Sequence, residues 1–141
     1  MVIRPAGVVF DLDGVLIFSR NAHRKAFEEI LGEFGISEFN YDNFAGWRTP
    51  EVFRFVFEAY PNLKAGEEIV AACSARKSAR ARALMAEEMP IATGCVPVLQ
   101  SMSQSYRLAL ASSGSRPSVE AFLDHTGLRP VFVSVLSGDD V

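Results

Sequence analysis

Two cysteines in 141 residues, Cys73 and Cys95, are too few and too widely spaced for a metal knuckle or a disulfide framework. Each lies in an apolar helical context, so both read as buried thiols. Positive charge is scarce too. The 14 Lys and Arg against 17 Asp and Glu leave a net charge of -3, which argues against nucleic acid, whose binding needs a basic face to neutralise phosphates. No apolar run reaches membrane length: the N-terminal one, behind Arg4, is broken by Asp11 and Asp13 before it can act as a signal peptide or a span. The expectation is a cytoplasmic protein with small partners, without membrane or nucleic acid. An apolar fraction of 49% suits one core, and a chain of this length buries roughly 70% of its unfolded surface.

The stretch Val8-Val9-Phe10-Asp11-Leu12-Asp13-Gly14-Val15-Leu16 organises the rest. Three apolar residues rich in β-branched Val predict a fully buried strand, which gives way abruptly to two carboxylates and a glycine. Side chains two apart on extended chain share a side, so Asp11 and Asp13 are expected to converge past the strand's carboxyl end, where open α/β sheets bind ligands. An Asp-x-Asp-Gly string also occurs in ordinary turns and in calcium loops. The calcium reading fails because apolar Val15 stands where a third oxygen ligand is needed.

From Ser19 to Met89 the pattern is helical almost throughout. Ala22, Ala26, Phe27, Ile30, Leu31 and Phe34 share one face, with Gly35 as the stop. Thr49 as N-cap, Pro50 and Glu51 announce a second helix with Val52, Phe53, Val56, Phe57 and Tyr60 as its stripe. A third helix, about 66–89, carries Arg76, Lys77, Arg80 and Arg82, read as a solvated face because glutamates flank it. With no strand in seventy residues, this is a helical unit inserted into a βα fold, placed to act as a lid.

After Pro90 the α/β alternation resumes. A helix over Cys95–Ser103 precedes a strand over Tyr106–Ala111, which ends in Ser112-Ser113-Gly114-Ser115 before a helix capped by Ser115 and stopped by Gly127. Hydroxyl residues between a strand and a helix N-terminus make either an anion site or a simple turn. A further buried strand, Val131–Leu136, leads into Ser137-Gly138-Asp139-Asp140-Val141. His125 beside Gly127 reads as a favourable charge at a helix C-terminus.

The series VVFDLDGVL, a helical insert, LALASSGS and VFVSVLSGDDV resembles the haloacid dehalogenase-like hydrolase superfamily, in the branch containing β-phosphoglucomutase and phosphoglycolate phosphatase. The resemblance implies an α/β fold: a Rossmann-like parallel sheet, incomplete here, over 1–16 and 91–141, with an inserted helical cap over 17–90. It implies Asp11 as the nucleophile that becomes an aspartyl phosphate and Asp13 as the acid, then base, that serves leaving oxygen and water. Asp11 and the carbonyl of Asp13 would ligate Mg2+, Gly14 would let backbone approach the phosphate, and Ser112 with the amide of Ser113 would hold phosphoryl oxygens. His23 and Arg48 match, or lie within a residue of, cap positions that touch substrate in that branch. On the residues alone, His23 reads as a solvated histidine on a polar helix side and Arg48 as a cover for Trp47. The resemblance implies a small phosphorylated metabolite as partner, and the carboxylic acid at position 13 sets the chain apart from true dehalogenases, whose halide leaving group needs no proton.

Departures accompany the likeness. Phe18 stands where many relatives have an acid, and the family's lysine after the Ser137–Asp140 motif, and its later acidic pair, have no counterpart in these residues. The first strand is then expected at a sheet edge, covered by self-association, a rearranged segment or a missing C-terminal fragment. Two functions stand open at this point: a magnesium-dependent phosphatase or phosphomutase, or an inactive fragment or pseudoenzyme that at most binds a partner or a phosphate.

Overall fold

The computed structural model describes residues 6–141; Arg4 and the first five positions of the expected core lie outside them. Arg20–Met85 forms one compact unit and the other described residues form a second.

The α/β unit is built from β1 (Gly7–Phe10), α4 (Cys95–Met102), β2 (Arg107–Ala111), α5 (Arg116–Thr126) and β3 (Phe132–Leu136), the numbering of α4 and α5 allowing for three helices of the insert. The strands lie in the order β1-β2-β3, all parallel. Consecutive right-handed crossovers that step in one direction put their helices on one face of the sheet. Accordingly, Cys95 and Leu99 of α4 and Val119, Phe122 and Leu123 of α5 share one core with Leu108, Leu110 and Phe132.

Among the described residues the opposite face is left open, and this corrects two expectations. The first strand is not fully buried: it is the sheet edge, with Val9 69% exposed although Val8 and Phe10 pack on the core. In β3 only Phe132 is buried, while Val133 and Leu136 face outward. Unbroken Val-rich runs signal double burial only where helices cover both faces of a parallel sheet.

Two connecting segments run side by side where the insert leaves and returns. Phe18 N donates to Pro90 O and Ala92 N to Leu16 O, both at 2.9 Å.

The helical unit contains α1 (Arg20–Gly32), α2 (Thr49–Glu58) and α3 (Glu67–Glu88). Phe27, Ile30 and Leu31 pack with Val52, Phe53, Phe57, Val70 and Cys73. The N-cap of α2 is Arg48 rather than Thr49. Glu51 reaches back to the Arg48 amide (Oε2 at 3.1 Å), which is the half of a capping box that needs no acceptor on the cap residue. The basic run of α3 is a solvated face except at Lys77: Arg76 and Arg82 are exposed and Arg80 is half-buried. Arg76 pairs with Glu33 at 2.5 Å and Arg80 with Glu29 at 2.6 Å, both from the α1 segment, and Lys77 is buried. Both cysteines are free, buried thiols, and burial pushes each thiol up from its ordinary pKa.

Candidate functional site

The turn after β1 is tied to a single carbonyl. Val15, Leu16 and Ile17 all point their amides at Leu12 O, at 3.3, 2.9 and 3.0 Å, and Gly14 N closes the turn on Ile17 O at 2.8 Å. Gly14 has φ +77°, a left-handed conformation open to glycine at little cost. Buried Leu12 anchors the turn in the core, while Asp11 stays exposed and Asp13 half-buried on either side of it. The Leu12 amide donates to Asp11 Oδ1 at 2.7 Å, which orients that carboxylate and leaves Oδ2 for other work.

The turn after β2 brings the second group. Ser112 is buried, its amide donates to Leu136 O at 3.0 Å, and its Oγ accepts from Gly114 N at 3.0 Å. A hydroxyl that accepts from the backbone keeps its own hydrogen for another acceptor. Asp13 and Ser112 are close: a β carbon placed on Gly114 would lie 3.2 Å from Ser112 Oγ and 3.5 Å from Asp13 Oδ2. The two oxygens therefore border one small space at the carboxyl end of the sheet. Ser113 is exposed beside them.

Ser115 does precede α5, but its hydroxyl meets Ser118 Oγ at 3.1 Å and makes no cap bond. The first amide of α5, Arg116 N, donates to Asp139 Oδ2 at 2.6 Å. The Arg116 side chain pairs with Asp140, whose Oδ2 also accepts from Ser137 N at 2.6 Å and Ser137 Oγ at 2.9 Å. The guanidinium, and after it the serine amide and hydroxyl, hold the Asp140 carboxyl well below the usual carboxylate range.

The other two expected site residues belong to the helical unit. Arg48 is exposed at the start of α2. His23 is not simply solvated: its Nδ1 lies 2.9 Å from Lys77 Nζ, which is also 3.4 Å from Thr49 Oγ1 and 4.4 Å from the centre of the Phe27 ring. As an ammonium Lys77 can only donate, so in that state the facing ring nitrogen, Nδ1, is the acceptor. Burial pulls the Lys77 pKa down to about 8. Lys77 is the residue the sequence reading passed over.

Asp11 and Asp13 offer hard oxygen donors, the type Mg2+ takes. Among the described residues no three His, Cys, Asp or Glu side chains are grouped to hold a metal. This is short of an all-protein cage, and it fits an ion that uses one or two carboxylates, keeps several waters and takes the rest from a substrate phosphate.

Known proteins resemble the chain in sequence and in fold. The family model of haloacid dehalogenase-like hydrolases matches residues 8–141. Fructose-1-phosphate phosphatase YqaB of Escherichia coli is 27% identical over the whole chain, which spans 73% of that protein. The CbbY protein of Rhodobacter sphaeroides, solved in complex with xylulose-(1,5)bisphosphate, is 25% identical with a TM-score of 0.69; the match covers 98% of this chain and 65% of that one. The β-phosphoglucomutase of Clostridium difficile shares the fold, with a TM-score of 0.71 at 20% identity, over 98% of this chain and 64% of that one. On the family match over residues 8–141, the chain belongs to the haloacid dehalogenase-like hydrolases.

Proposed function

We propose that the chain performs magnesium-dependent phosphoryl transfer from a small phosphorylated metabolite, as a phosphatase or phosphomutase of the cytoplasm. The observation that carries this reading is the meeting of Asp13 Oδ2 and Ser112 Oγ at one small space, at the carboxyl end of a parallel sheet, beside an oriented Asp11. Three relatives named for phosphorylated sugars or bound to one support the substrate class.

The chemistry follows from the oxygens. Asp11 Oδ2 attacks phosphorus and the bond to the leaving oxygen breaks, while Asp13 gives that oxygen a proton. Water then attacks the phosphorus of the aspartyl phosphate, Asp13 takes the water's proton, and Asp11 is released as carboxylate. The Ser112 hydroxyl and the Ser113 amide donate to the phosphoryl oxygens throughout. Asp11 and the Asp13 carbonyl are the groups that would hold Mg2+, whose charge offsets the repulsion between carboxylate and phosphate. His23 and Arg48 are assigned to substrate recognition.

The test is phosphate release from a panel of sugar phosphates, with Mg2+ and with excess chelator. Release that the chelator abolishes is the expected result. No release from any member, with inorganic phosphate still bound, overturns catalysis by this chain and leaves a binding module.

Among the described residues no strand pairs with the outer edge of β1, which bears on partners as well. It is apolar, and such edges pair with other strands unless a charge blunts them. Val9→Lys is therefore expected to weaken self-association of the chain in sedimentation velocity runs; a wild type that stays monomeric across the concentration range overturns this.

A further inference from the structure

The turn after β3 is built against the hydroxyl loop. Gly138 N donates to Gly114 O at 2.7 Å, and the approach is so close that a β carbon on Gly138 would lie 2.3 Å from Ser113 O. Only a residue without a side chain fits there. The turn itself is shaped by one oxygen, Asp140 Oδ2, which gathers the Ser137 amide, the Ser137 hydroxyl and the Arg116 guanidinium. Asp139 takes the amide of the same arginine, the first of α5.

We infer that Asp139 and Asp140 are positioning residues for phosphate binding, locking the turn at Ser137–Gly138 against the loop at Ser112–Gly114 so that the Ser112 hydroxyl is held in place. This rests on the reading that Ser112 binds a phosphoryl group. One consequence concerns where the anion sits. A helix N-terminus with free amides attracts anions, but here the first amide of α5 is already bonded to a carboxylate. The phosphoryl group is left to Ser112 Oγ and the Ser113 amide, on the Asp13 side of the loop. A second consequence is that the acidic pair works through Arg116 and Ser137, touching neither substrate nor metal.

The experiment uses the 141-residue chain, inorganic phosphate as the probe, and the variants Asp140→Ala, Asp140→Asn and Gly138→Ala. Phosphate affinity is measured by calorimetry with Mg2+ present, and amide hydrogen exchange is followed at Gly114 and Gly138. Asp140→Ala is expected to speed exchange at both amides and to weaken phosphate by about tenfold, the loss of a few charge-assisted hydrogen bonds acting indirectly. Asp140→Asn keeps an acceptor for the Ser137 amide and is expected to recover part of both effects. Gly138→Ala, with both carboxylates intact, is expected to weaken phosphate by displacing Ser113. Faster exchange with unchanged phosphate affinity overturns the positioning role, and so does unchanged exchange. A wild type that binds no phosphate overturns the functional reading and this inference with it, whereas a wild type that binds and a variant that binds equally well overturns the inference alone.

Discussion

Asp11→Asn is expected to lower Mg2+-dependent hydrolysis of p-nitrophenyl phosphate by at least about 10³-fold while leaving the fold intact. The variant keeps the shape of the side chain and the Oδ1 acceptor that the Leu12 amide uses at 2.7 Å. Asp11 is exposed, so the change in stability is expected to stay within about 0.5 kcal/mol. On the proposed mechanism what disappears is the nucleophile, since the amide nitrogen's lone pair is delocalised into the carbonyl and is not offered to phosphorus.

Asp13→Asn supplies the contrast. It removes a proton donor, and general acid catalysis contributes about 10²- to 10⁴-fold where the leaving group needs it. An alkoxide leaving from a sugar phosphate needs that proton far more than p-nitrophenolate does. The expected pattern is thus a loss for Asp11→Asn on every substrate and a loss for Asp13→Asn that is larger on alkyl phosphates. Equal rates for wild type and Asp11→Asn would remove Asp11 from the chemistry and end the reading.

The parts legible in the sequence were those written in local chemistry. The Asp-x-Asp-Gly turn behind a Val-rich strand, and the serines between β2 and α5, identify themselves by residue type and spacing. Their meeting needs only parallel neighbouring strands, since β1 and β2 then end side by side. What could not be read was set by distant packing. Val9 looks buried in sequence because nothing local says that both crossover helices lie on one face of the sheet.

Lys77 is a different case, because its signal was present. The buried positions of α3 are Val70, Cys73, Lys77, Ala81, Leu84 and Met85, and the first five advance by three or four residues, so Lys77 sits in the middle of an apolar stripe. Grouping it by charge with Arg76 and Arg80 concealed this. Those arginines lie off the stripe and pair with Glu33 and Glu29; Lys77 lies on it and meets His23.

Its position carries a large thermodynamic consequence. With the pKa moved from 10.5 to about 8 by burial, the folded lysine gives up its proton while the unfolded chain still holds one. Between those values the unfolded state binds more protons, so stability rises with pH across the window, by roughly 3 kcal/mol in all. Below pH 8 the folded state bears the charged amine at that cost, with His23 from α1, Thr49 from α2 and the face of Phe27 as its surroundings.

Lys77→Met fills nearly the same volume without the charge and is expected to raise stability at pH 7 by about 1–3 kcal/mol. The buried thiols Cys73 and Cys95 oppose the trend above pH 9, because their raised folded values mean that the unfolded chain loses its protons first. They are common to both proteins. The decisive quantity is therefore the difference between variant and wild type in urea unfolding from pH 7 to 10.5, which should shrink steadily as the native lysine becomes neutral in the folded state. A difference that stays constant across that range would mean that Lys77 titrates as a lysine in water, and its place beside His23 would have to be abandoned.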